Sequence, residues 1–89
     1  MKHPCIVQIR DVEEKRLETI LSKAYKFNVD VEKVEGGVDV YFEDVNDARR
    51  YISILKKLLD FEIKFSTKFA GLRKGKVRVL FVYCLRYRG

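Results

Sequence analysis

Val29-Asp30-Val31-Glu32-Lys33-Val34-Glu35-Gly36-Gly37-Val38-Asp39-Val40-Tyr41-Phe42 reads as two strands joined by a tight turn. Val38, Val40 and Phe42 alternate with Asp39 and Tyr41, the two-residue period of a strand with one buried face. Between the strands, Glu35-Gly36-Gly37 offers the positive φ that a short hairpin needs. On both sides of this hairpin the apolar period changes to that of a helix. Upstream, Leu17, Ile20, Leu21 and Ala24 recur at i, i+3, i+4 and i+7. Downstream, Ala48, Tyr51, Ile52, Leu55, Leu58 and Leu59 trace a second stripe. Asp11 with Glu14, and Asp44 with Asp47, stand where a carboxylate can accept an early helical N–H and meet the positive end of the dipole. The first helix is expected to run to about Phe27 and to end at Asn28 in the left-handed conformation.

Outside the helices the two-residue period returns. Cys5 to Arg10 predicts a strand with Cys5, Val7 and Ile9 on one face. From Phe61, the residues Phe61, Ile63, Phe65, Thr67 and Phe69 face one way, and Glu62, Lys64, Ser66 and Lys68 the other. A loop is expected over Ala70 to Gly75, followed by a last strand from Lys76 to Tyr87. The middle of that strand is apolar on both faces, with Leu80, Val82 and Cys84 opposing Val79, Phe81 and Tyr83, which predicts a central or covered position. The order is β-α-β-β-α-β-β. It predicts an α+β fold, a ferredoxin-like two-layer sandwich extended by a C-terminal β-hairpin strand, in a single domain over residues 1–89.

Composition agrees with a folded domain, at 47% hydrophobic and 36% charged residues. No apolar run approaches the length of a membrane helix, and the N-terminus has no signal-peptide pattern, so a cytoplasmic location is expected. Cys5 and Cys84 lie in apolar runs with no second pair for a zinc site, and are read as buried free thiols; a disulfide between the terminal strands is the lesser alternative.

Charge is unevenly distributed. Residues 1–45 hold 7 Lys/Arg against 10 Asp/Glu, and residues 46–89 hold 12 against 3. After Glu62 there is no acid at all, while Lys64, Lys68, Arg73, Lys74, Lys76, Arg78, Arg86 and Arg88 follow. A field of one sign on part of a small domain attracts polyanions, nucleic acid above all. Lys64, Lys68, Arg73, Lys74, Lys76 and Arg78 are therefore the candidate nucleic-acid-binding residues, gripping phosphate without reading bases. The plain alternative is a solvated surface. Gly71-Leu72-Arg73-Lys74-Gly75-Lys76 is no Walker motif, because it has three residues between its glycines and precedes a strand. Arg49, Arg50, Lys56 and Lys57 on the second helix either extend this basic patch or solvate the helix face, and the second reading is favoured.

Catalysis is poorly provided for. The single histidine, His3, stands near the terminus, and no nucleophile and base constellation is visible. No enzyme activity, cofactor or metal is expected. Phe61, Phe65, Phe69 and Phe81 fall at buried periods and are read as core; Tyr41, Tyr83 and Tyr87 are the better candidates for exposure. An RNA-recognition motif signature of Gly and aromatic residues on central strands is missing.

Gln8-Ile9-Arg10, then Gly37-Val38-Asp39-Val40-Tyr41-Phe42, the Ala48-led helix through Leu55, and Lys64-Phe65-Ser66 carry a resemblance. In this order they resemble the ribosomal large-subunit export adaptors named for nonsense-mediated mRNA decay, found in eukaryotes and, in shorter form, in archaea. The resemblance spans most of residues 6–85. It implies association with the large ribosomal subunit, in its assembly or quality control, through protein and RNA contacts. The family's N-terminal zinc-binding cysteine pairs are missing here, so zinc and export-receptor contacts are not carried over. Two functions are weighed. One is a non-enzymatic RNA- or ribosome-associated module with a basic hairpin. The other is a protein-interaction or small-ligand regulatory module that forms a homo-oligomer through its sheet.

Overall fold

The computed structural model describes residues 4–73 and 76–88, with side chains described outside 69–78. Seven elements follow in order: β1 (Cys5–Arg10), α1 (Glu14–Ala24), β2 (Val29–Val34), β3 (Gly37–Phe42), α2 (Val45–Leu58), β4 (Phe61–Arg73) and β5 (Lys76–Tyr87). They build one sheet of order β2-β3-β1-β5-β4, with both helices on one face. β3 is antiparallel to β1 and to β2, so β1 and β2 run parallel with β3 between them, as in the split β-α-β plan. The expected α+β sandwich is therefore present. The extra strand is inserted rather than appended: β5 lies parallel to β1, and β4 is pushed to the edge. The sequence pattern explains the choice, since the two-sided apolar stretch of β5 fits the interior and the alternating polar face of β4 fits an edge.

Under the helices, Cys5, Val7 and Ile9 of β1, Val38, Val40 and Phe42 of β3 and Leu85 of β5 are wholly buried. Ile20 and Ala24 of α1 and Ala48, Tyr51 and Leu55 of α2 close over them. Tyr51 is the largest buried side chain; its hydroxyl donates to the Ile20 carbonyl at 2.8 Å and ties the helices together. Burial raises the Tyr51 pKa well above the ordinary phenol value. Leu58, expected in the buried stripe, is 48% exposed because it ends the helix at the margin of the sheet.

The helix starts differ. Asp44 caps α2, accepting from the Asn46 N–H at 2.8 Å. Asp11 does not cap α1. It takes the left-handed conformation, φ 61°, donates its N–H to the Gly36 carbonyl at 2.9 Å and turns its carboxylate to Arg86 at 3.1 Å. Glu13 stands at the N-cap without a side-chain hydrogen bond. α1 ends at Ala24, three residues early, and Asn28 is not left-handed; it donates to the Glu43 carboxylate at 3.2 Å.

Of the two turn glycines only Gly36 has positive φ, 79°. Gly37 is needed for a different reason: a Cβ there would collide with the Ile9 carbonyl of β1. Cys5 faces the helices and Cys84 the opposite side of the sheet, and both are free thiols, so the terminal-strand disulfide is not formed. Cys5 is buried as expected, while Cys84 is half-buried on the helix-free face.

Candidate nucleic-acid interface

β4 and β5 are twice as long as the strands they join. β1 pairs with β5 only from Phe81 to Arg86, so Lys68–Arg73 and Lys76–Leu80 pair with each other alone. A thirteen-residue strand extends about 43 Å, which matches the 44 Å long dimension of the molecule. Residues 70–73, expected as loop, are strand. A bulge between Phe69 and Gly71 shifts the register by one, so that Gly71 opposes Arg78, Leu72 opposes Val77 and Arg73 opposes Lys76. A one-residue slip exchanges the two faces of a strand, and this one puts Arg73 directly across from Lys76.

Lys64 and Lys68 are exposed on the helix-free face of the edge strand. Their cross-strand partners are Cys84 and Leu80, not cations, so neither lysine meets a like charge in the opposed position. Four residues of strand separate them by about 13 Å, beyond the ~10 Å screening length at 0.1 M salt. Neither has an acidic partner among the described residues. Other cations are neutralised internally: Arg86 by Asp11 at 3.1 Å, Arg10 by Asp39 at 2.8 Å and Arg50 by Asp47 at 3.8 Å. The structure thus places Lys64 and Lys68 together on one face. Lys74, and the side chains of Arg73, Lys76 and Arg78, lie outside the described residues.

Sequence periodicity misplaces one aromatic group. Phe61 is buried and packs on Tyr87 at 5.8 Å, but Phe65 is 53% exposed, because β4 is the edge strand, separated by β5 from β1 and β3, over which the helices pack. Phe65 lies 4.8 Å from Tyr83 and 6.0 Å from Phe81 between ring centroids, nearly parallel to Phe81 at 16°. Half-buried Phe81 and Tyr83 complete the cluster, and Val79 continues it, also exposed. Arg49 of α2 borders it, donating from Nε to the Tyr83 hydroxyl at 3.4 Å; that bond raises the guanidinium pKa. Tyr41 and Tyr87, the other tyrosines expected to be exposed, are engaged within the fold. Tyr41 donates to the Glu32 carboxylate at 3.0 Å, which raises its pKa, and the Arg16 guanidinium sits 5.0 Å over the Tyr87 ring. The signal that finds Phe65 is strand order: the inner face of an edge strand lies beyond helices that pack over the central strands.

Elsewhere the surface offers little chemistry. A cleft of about 560 Å³ lies between α1 and the β2–β3 turn, lined by Val12, Leu17 and Gly37 with Glu14, Glu18 and Lys33. It holds neither histidine nor thiol. Among the described residues no group of three His, Cys, Asp or Glu is placed to hold a metal ion, and no helix is long and apolar enough to cross a membrane. Burial pushes the Cys5 thiol up to about 11, with Arg49 opposing the shift.

The residues of the earlier resemblance meet in space. Arg10 opposes Gly37 in the β1–β3 ladder, and its Nη1 lies 3.0 Å from the Ile9 carbonyl, 3.4 Å from that of Val38 and 2.8 Å from Asp39 Oδ1. Asp39 Oδ1 is buried and accepts no directed hydrogen bond among the described residues, so its attraction to Arg10 is Coulombic. The family model for NMD3, second domain, matches residues 2–86 of the chain. No curated protein sequence matches it.

Proposed function

The chain belongs to the NMD3 family, and on that footing we propose a non-enzymatic module that contacts RNA of the large ribosomal subunit through its β4–β5 hairpin, in subunit assembly or quality control. The observation that carries the RNA contact is the pair of exposed lysines, Lys64 and Lys68, without acidic partners among the described residues, on a strand followed by no acid in the sequence. Phosphates beside them release condensed counterions, giving affinity without base reading. Arg73, Lys74, Lys76 and Arg78 extend this reading toward the tip of the hairpin. The same edge argues against oligomerisation by strand addition there, since lysines and a bulge on an edge strand discourage it.

The test is a salt titration of binding to large-subunit ribosomal RNA. Each phosphate contact contributes about 0.7–0.9 to the slope of log affinity on log salt. Replacing Lys64 and Lys68 by alanine therefore lowers the slope by about 1.4–1.8, and between about 50 and 200 mM salt the wild type loses roughly 7- to 12-fold more affinity than the variant. Absence of binding at the low end, or an unchanged slope in the variant, refutes the proposal.

A further inference from the structure

We propose that the open aromatic cluster on the helix side of the hairpin, Phe65 with Phe81 and Tyr83, is a stacking platform for an unpaired RNA base. This rests on the RNA reading above and adds a second, non-ionic contact to it. Three observations converge. Phe65 is 53% exposed although its neighbours along the same strand face, Phe61 and Ile63, are buried or half-buried. Its ring is held by Tyr83 at 4.8 Å and by Phe81 at 6.0 Å and 16°, so the exposed surface is an ordered pair of rings rather than a loose side chain. Tyr83 is in turn fixed by Arg49, whose guanidinium stands at the border of the cluster.

The charges around the rings select the occupant. Arg49 borders the rings on their own face, while Lys64 and Lys68 rise from the opposite face of the same edge strand, and Ser66 and Thr67 between them are neutral. An apolar protein segment would cover the rings and leave Arg49 at their border without an anionic partner. A nucleotide satisfies both, its base on the ring and its phosphate beside Arg49. Further phosphates of the same RNA strand reach the lysines by passing over the edge of β4, the combination of stacking and phosphate contact from which sequence-tolerant single-strand binders are built. A duplex keeps its bases stacked on each other and offers only phosphate. Unpaired RNA is therefore the ligand form this surface fits.

The experiment compares a short unpaired RNA with a duplex of the same length, using wild type, Phe65→Ala, Phe65→Leu, Phe65→Tyr and the Lys64/Lys68 alanine variant. Phe65→Ala is expected to weaken unpaired RNA by about 5- to 150-fold, the range for alanine replacement of a base-stacking aromatic residue. Its salt slope and its duplex affinity stay at wild-type values. Phe65→Leu keeps apolar bulk without a π face and follows alanine; Phe65→Tyr follows wild type. Thermal unfolding checks that the variants fold. Wild-type affinity of Phe65→Ala or Phe65→Leu for unpaired RNA, or an equal loss on duplex, overturns the platform while leaving the phosphate contact standing if the lysine variant still lowers the slope. Loss of subunit binding in Phe65→Ala with unchanged affinity for isolated RNA overturns it in favour of a protein contact. Wild type that binds neither RNA overturns both readings.

Discussion

Arg10→Ala separates a structural from a ligand-binding role for the residues that most resemble the family. Arg10 comes from the Gln8-Ile9-Arg10 strand and Asp39 from the Gly37-Val38-Asp39 strand, and they meet at 2.8 Å on the helix-free face of the sheet. Arg10 also reaches the carbonyls of Ile9 and Val38, so the guanidinium clasps the ends of β1 and β3. Breaking a buried ion pair by removing one partner costs about 3–5 kcal/mol, because the other charge stays desolvated and alone. Here the side chains are 29% and 13% exposed, so water offsets part of that cost and about 2–3 kcal/mol remains. A domain of 89 residues has roughly 4–13 kcal/mol in total. Arg10→Ala should therefore lower the unfolding midpoint by about 10–20 °C.

The assay is urea and thermal unfolding followed by circular dichroism, for Arg10→Ala, Asp39→Asn and the double replacement Arg10→Met with Asp39→Leu. The double replacement removes both desolvation costs together with the attraction, so it should lie much nearer wild type than either single variant. RNA affinity of the folded fraction should not change in any of them. Wild-type stability in Arg10→Ala combined with weakened RNA binding would refute the reasoning and make Arg10 a ligand contact.

Three further outcomes follow from the turn and the core. Gly37→Ala drives a Cβ into the Ile9 carbonyl and should cost about 1–3 kcal/mol, toward the upper end because backbone must move; Gly36→Ala meets open space and only the left-handed strain, about 1 kcal/mol. Chemical unfolding that ranks Gly36→Ala as the worse variant refutes this. In native protein a thiol reagent should modify Cys84 and spare Cys5 until unfolding; equal labelling rates contradict the burial of Cys5. Burial raises the Cys5 pKa from 9.0 to about 11, so folding is favoured while the thiol keeps its proton. That stabilisation is complete below pH 9, falls as pH rises through about 11, and amounts to at most roughly 2–3 kcal/mol. Cys5→Ala should flatten this alkaline decline in unfolding free energy.

The periodicities of the sequence locate all seven elements because each buries one face against a common core, and burial is what imprints a period of 2.0 or 3.6. Ends are less legible. Asp11 has the chemistry of an N-cap, yet the chain spends it on a left-handed turn that joins β1 to the β2–β3 hairpin and on Arg86, both long-range demands invisible to local pattern. Strand order follows the same logic: the two-sided apolar run Leu80, Val82 and Cys84 announces an interior strand, but only the pairing with Ile6 and Gln8 shows that β5 displaces β4 to the edge.

The site was half visible for a related reason. Lys64 and Lys68 stand out as charge, since nothing in the remaining sequence neutralises them. Phe65 does not stand out, because a period-two pattern assigns a residue to a face without saying whether anything covers that face. β5 stands between β4 and β1, so the inner face of β4 lies to the side of the helices packed over β1 and β3. The edge position that suits the lysines of β4 is thus the same one that leaves Phe65 open. A single architectural fact, β5 inserted between β1 and β4, gives the edge strand a cationic face and an aromatic face at once, and an unpaired RNA strand passing over that edge has a counterpart for each.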